Sequence, residues 1–361
     1  MTSTGRLKLV SAFGFACHVC LVSSVVAIRK GDLPHPADPF ADPKHDPYNP
    51  LKYIASNALT ATSFTLILLV GIFQTLCVRK YGARWMLPMV VGAYTFAFRL
   101  GVRFALHVHP ESQGWYITEY LFVVLSPCAF IAADYVLLGR IASHLDSARF
   151  LLLPARRITA VFVSSDITTF LIQAIGGALS VSANAPARAL AGSHIFLAGL
   201  TIQLFSFFLF TCVYLLFLYR LYRHTPLTWA KDRGEPWYKD WRTLAFALII
   251  SCIGILIRSG FRVVELSEGF QGRLATSEAF FYGLDTLPLF IATSIYIPFW
   301  PGRFMLESSS LENEFIISGG WINPRTIFMP PIKCRRVQLP NAAIAWRLIL
   351  IDLGMFARPP R

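Results

Sequence analysis

Residues 257–285 read IRSGFRVVELSEGFQGRLATSEAFFYGLD. A long apolar run reaches Ile257, and charges then arrive at helical spacing: Arg258, Arg262 and Glu265. A short loop holding Gly269 and Gly272 follows, then Glu278 and, seven residues on, Asp285, already inside the next apolar run. Residues four or seven apart share a helix face. Two neighbouring hydrophobic helices therefore each carry a charged stripe at the ends where they meet. Ionisable residues inside membrane helices are rare and turn towards the bundle interior. This stretch is the strongest pointer to a functional region in the chain.

The composition around it fits that reading. The chain has 361 residues, 55% hydrophobic and 15% charged, whereas soluble domains carry about a quarter charged residues. One all-α membrane domain with short loops and a tail is expected. The formal charge of +13 does not mark a nucleic-acid binder. Its basic residues sit in loops between apolar runs, where they set topology rather than form one basic face. Of the seven cysteines, all but Cys334 lie in or at the edge of apolar runs and read as small hydrophobes. Cys17 and Cys20 form a CxxC inside an apolar segment, a weak redox or metal signal.

A bilayer-crossing helix needs about 20 apolar residues. The first run, 7–28, reads either as a cleaved signal peptide or as an uncleaved extra helix. A Pro/Asp-rich exported loop follows it at 29–53. Seven further runs occupy 54–78, 85–107, 117–140, 157–181, 193–219, 241–264 and 277–300, giving a seven-helix domain over 54–304. Arg79, Lys80 and Arg84 follow the first of these runs, and Arg140, Arg149, Arg156 and Arg157 follow the third. Arg220, Arg223, Lys231, Arg233, Lys239 and Arg242 follow the fifth. The alternate loops hold almost no Lys or Arg. The bias places the N-terminus of the seven-helix core outside and its C-terminus, with the basic tail 305–361, in the cytosol. Pro88, Pro127, Pro288 and Pro298 are candidate kinks.

With this orientation Arg99, Arg103, Glu119, Arg258, Arg262, Glu265, Glu278 and Asp285 converge on the outer half. Four arginines balance four carboxylates, which favours ion pairing over a bare anion or cation site. Two readings stand side by side: a salt-bridge network that fixes helix register, and a polar cavity that meets a lipid headgroup. If Arg262 and Asp285 pair, Arg262→Ala and Asp285→Ala each harm folding, and the double change harms it less. Asp166 falls near the bilayer centre, Gln173 two turns further out on the same side, and Asp134 in the inner third of its run. Asp166 is either kept neutral by burial, a proton site, or hydrogen-bonded to Gln203 or a tyrosine. The eight histidines lie mostly in loops or at helix ends, so no metal site, cofactor or enzymatic activity is expected.

The ordered motifs resemble the fungal lipid-translocating exporters, the RTA-like, aminocholesterol-resistance seven-helix membrane proteins. GAYTFAFR (92–99), SPCAFIAADYVLLGRI (126–141), SSDITTFLIQAIGG (164–177) and GSHIFLAGLTIQ (192–203) are similar to successive family segments. The most specific likeness is RSGFRVVE (258–265), followed by Gly, Glu, Tyr and Asp at matching spacing. Val90 and Val91 stand where the family often has a glutamate, and Glu119 where it usually has glutamine. The resemblance implies translocation or efflux of an amphipathic lipid, such as a sphingoid base, phospholipid or sterol-like toxic compound. The outcome would be stress and drug resistance at the plasma membrane. A seven-helix lipid sensor or receptor is the alternative. No G-x-x-x-x-G-K-[ST] motif is present, so no P-loop drives transport.

Overall fold

A computed structural model describes residues 40–44, 49, 51–182, 186–230, 240–269 and 272–304. The 7–28 segment and the 305–361 tail lie outside them. Among the described residues the chain is all-helical. Helices α1 (Asn57–Tyr81), α2 (Leu87–Val108), α3 (Gln113–His144), α4 (Ala155–Ser182), α5 (Pro186–His224) and α6 (Trp241–Ser267) are each long and apolar enough to cross a bilayer. The last run, α7, is built of three pieces: Glu278–Phe280, a π-helical Phe281–Thr286, and Leu287–Ser294.

Local chemistry accounts for the boundaries. Gly82 ends α1 with a φ of 69°, a left-handed turn that glycine adopts without a Cβ penalty. The Asp240 side chain caps α6 by accepting from the Arg242 backbone N–H at 3.0 Å. Pro88 sits in the first turn of α2, where a missing N–H costs nothing, so it starts a helix instead of kinking one. Pro288 likewise opens the last piece of α7. Having no N–H, it cannot bond the carbonyl four residues back, and the turn before it is the wide i→i−5 one, with Leu287 N–H reaching Tyr282 O. Pro127 lies inside a continuous helix, α3. The fifth run is extended most, because the helix already begins at Pro186 and continues through Arg220 and Arg223 to His224.

Sequential helices pack against each other, and α6 also meets α3, α5 and α7. Helix α3 is central, 72% buried over its apolar window against 28% for α1 and α4. Outward residues such as Leu66, Leu69, Ile175, Phe205 and Phe208 are exposed apolar side chains, a surface suited to lipid rather than water. Helices α4 and α5 touch through glycines. A Cβ at Gly192 would lie 2.3 Å from the Ser180 backbone N, and one at Gly176 would lie 2.5 Å from that of Phe196. Backbone cannot yield as a side-chain tip can, so Gly192→Ala is expected to destabilise by about 1–3 kcal/mol, the usual cost of overpacking. Its melting temperature in detergent, compared with that of the open-sided Gly283→Ala, checks this.

Candidate functional site

Arg99 and Arg103 near the C-terminal end of α2, Glu119 near the start of α3, Arg258, Arg262 and Glu265 near the end of α6, and Glu278 and Asp285 in α7 meet at one end of the bundle. Antiparallel packing brings starts and ends together there. Glu119 and Glu278 sit near helix starts and the arginines towards helix ends, the polarity that helix dipoles favour, whereas Glu265 in the last turn of α6 runs against it. The structure thus gathers all eight of these sequence candidates.

Asp285 is the hub, fully buried within the π-helical turn. Arg99 donates Nη2–H to its Oδ2 at 2.6 Å, and Arg262 donates Nε–H to its Oδ1 at 2.7 Å. Arg258 Nε stands 3.0 Å from the same Oδ1. The Arg258 guanidinium also donates to the Val123 carbonyl. That carbonyl lies four residues before Pro127, whose ring nitrogen has no proton to give it. The proline in α3 therefore frees an acceptor that the arginine of α6 occupies.

A second group surrounds Arg103. It donates to Glu119 Oε1 at 2.8 Å and to the Tyr53 hydroxyl at 2.9 Å, and lies 3.8 Å from Glu278 Oε1. Arg262 also bonds Glu265 at 2.7 Å. The Phe281 ring lies between the two groups, with the Arg103, Arg99 and Arg262 guanidinium carbons 4.0, 4.7 and 5.8 Å from its centroid. Buried arginines stacked on a π-face are attracted to its quadrupole. Phe281 follows Glu278 by three residues and precedes Asp285 by four, a spacing that marks a shared face. Its part is readable from that spacing alone.

The segment before α1 covers this end. Glu278 Oε1 accepts from the Ser56 backbone N–H at 2.8 Å, and His107 Nδ1–H donates to the Ala55 carbonyl at 2.7 Å. Burial pushes the Tyr53 phenol up against the opposing pull of Arg103, so it meets Arg103 as a neutral hydroxyl. Nothing in the Pro/Asp-rich loop sequence signalled these contacts. Beneath the segment is a cavity of about 40 Å³ lined by Tyr53, Arg103, Glu119, Arg262, Glu265 and Phe281 among others. That is room for water rather than for a lipid. A smaller, mainly apolar slot between α3, α5 and α6 shares Tyr120, Val123 and Arg262 with it and runs along Pro127, Phe196 and Leu200 to Gln203, with Arg258 and Ser259 on its α6 side.

The other candidates lie deeper and apart. Gln173 donates to Gln203 at 2.9 Å, and Gln203 donates to Cys128 Sγ at 3.3 Å. Asp134 accepts from Ser251 and Tyr296 hydroxyls, each at 2.8 Å, which ties α3 to α6 and to the chain beyond α7. Asp166 does not bond Gln203; the Tyr135 hydroxyl of α3 faces its carboxyl, as the tyrosine alternative expects, but outside good hydrogen-bond geometry. Among the described residues no group of three or more His, Cys, Asp or Glu is placed to hold a metal ion.

A family profile described as "RTA1 like protein" matches residues 89–308. Protein RTA1 of Saccharomyces cerevisiae is 34% identical over 230 residues, 63% of this chain and 70% of that protein. The sphingoid long-chain base transporter RSB1 of the same species is 27% identical over 250 residues, 61% of this chain and 64% of its own length. Protoporphyrin uptake protein 1 is 29% identical over 196 residues, 54% and 61% respectively. No solved structure matches the chain.

Proposed function

The chain belongs to the RTA1-like family of membrane proteins, and from that premise we propose that it translocates or exports amphipathic lipids. The observation that carries the reading is the shared wall between a charged cavity and an apolar slot. An amphipath needs both, with its polar head among Arg103, Glu119, Arg262 and Glu265 and its chain along Pro127, Phe196 and Leu200. Arginines suit a phosphate and carboxylates an amine, so the mixed set fits a sphingoid base or a zwitterionic lipid. Relatives named for a sphingoid base transporter and a protoporphyrin uptake protein support an amphipathic client. The small cavity means that the lipid enters only when the segment over it and the ion pairs beneath it shift. Movement, not chemical conversion, is the proposed activity.

In this reading α7 completes a seven-helix domain, with its charged end facing the outer leaflet of the plasma membrane. The Lys/Arg bias of the loops at the opposite end supports that orientation. The test is reconstitution of the purified full-length protein in liposomes carrying a labelled sphingoid base or phospholipid. Protein-dependent movement between leaflets is expected. No movement, with or without a pH gradient, overturns the translocator. Binding without movement would favour a lipid sensor.

A further inference from the structure

We propose that Asp166 is a proton-binding site in the middle of the bundle, uncharged in this conformation and able to take up and release one proton as the protein works. Asp166 lies midway along α4, is 5% exposed, and forms no salt bridge among the described residues. Neither carboxyl oxygen finds a hydrogen-bond donor in good geometry. The titratable groups that reach it are Tyr135, whose hydroxyl faces the carboxyl outside good hydrogen-bond geometry, and Cys128, both on α3. Helix α5, the other helix packed on α4, brings no titratable side chain to it.

Asp285 shows what an anchored carboxylate looks like here, and Asp134 is an intermediate case with hydroxyl donors but no cation. Asp285 is met by three guanidinium groups, and Asp134 by two hydroxyl donors. An ionised carboxylate is an acceptor only, and in a low-dielectric interior it needs a cation or several donors. Asp166 has neither, so the proton itself is the ligand that neutralises it. Gln173 lies two turns nearer the charged end on the same face of α4, and its Oε1 also has no partner. Gln173 donates to Gln203, which lines the apolar slot. Water admitted along that polar seam accepts the proton when the acid dissociates to carboxylate, and returns it on the reverse step. A client moving through the slot would thereby pass a group whose charge depends on pH.

The experiment uses the full-length protein in lipid bilayers, with its aspartates carboxyl-labelled with carbon-13, followed by infrared spectroscopy as the buffer pH is stepped. A protonated aspartic C=O band is expected at neutral pH. The component of the band that belongs to Asp166 should vanish in Asp166→Asn and persist in Asp134→Asn, so the two variants together separate it from any Asp134 component. Asp166→Glu should remove that component from the labelled set while keeping an acid in place, which covers an Asn variant that does not fold. Absence of the band in the unaltered protein overturns the proposal, as does its undiminished persistence in Asp166→Asn and Asp166→Glu. The reading needs no lipid movement. A translocator that fails in liposomes while the band behaves as expected leaves the proton site standing.

Discussion

Asp285→Asn is expected to cost about 3–5 kcal/mol of stability, the range for removing one partner of a buried ion pair, and to place it among the most damaging single changes in the chain. The reason is its three partners. Arg262 keeps Glu265 at 2.7 Å, and Arg258 keeps the Val123 carbonyl. Arg99 is 0% exposed and has its Nε and Nη1 already unpartnered. With asparagine at 285 it keeps at most a neutral amide acceptor, the faces of Phe96 and Phe281, and the field of the more distant Glu119. Compensation should therefore be ordered. Adding Arg99→Met to Asp285→Asn should recover more melting temperature than adding Arg262→Met. The rescue expected from reading Arg262 and Asp285 as a simple pair is correspondingly incomplete, because Arg99 and Arg258 stay uncompensated in the double variant. Thermal melting of detergent-solubilised variants decides it. An Asp285→Asn protein that melts with the unaltered one removes the hub from any account of this fold.

Spacing along one helix carried the legible part of this architecture. Arg258, Arg262 and Glu265 shared a face, Glu278 and Asp285 shared another, and the alternating loop charges suggested that they lie at one end. Helix-to-helix identity was not legible. No pattern in the sequence says that Asp285 meets Arg99, 186 residues earlier, as well as Arg262. Such pairings depend on interhelical rotation and translation, which periodicity does not encode. The π-helical turn was equally hidden, because Phe281–Thr286 reads as ordinary helix and the widening is decided jointly with Pro288 and packing. Tyr53 and Ser56 sit in an irregular segment whose contacts are set by where α1 begins. The Val123–Arg258 contact was half legible: a proline in a membrane helix announces a free carbonyl four residues back, but not the side chain that takes it.

Arg103→Met is expected to cost a similar 3–5 kcal/mol, because it strands Glu119, 4% exposed, and leaves the Tyr53 hydroxyl without its donor. Glu119→Gln should cost less, since Arg103 keeps Tyr53, the more distant Glu278 and the Phe281 face. Glutamine is also the residue that the resembling family usually carries at that position. The double variant Arg103→Met/Glu119→Gln removes both charges and should recover most of the lost stability, a positive coupling between the two sites. That recovery separates the two roles that the charged end can play. If the ion pairs only hold helices in register, lipid movement in liposomes returns along with the melting temperature. If Arg103 also engages the headgroup, movement stays depressed by about tenfold or more in a protein that is folded again, the loss expected from one charge-assisted hydrogen bond of about 1.5–3 kcal/mol. The translocator reading predicts the second result. Full recovery of movement in the double variant would confine Arg103 to holding α2, α3 and the segment before α1 together, and would shift the headgroup contact to Arg262 and Glu265 on the far wall of the same cavity.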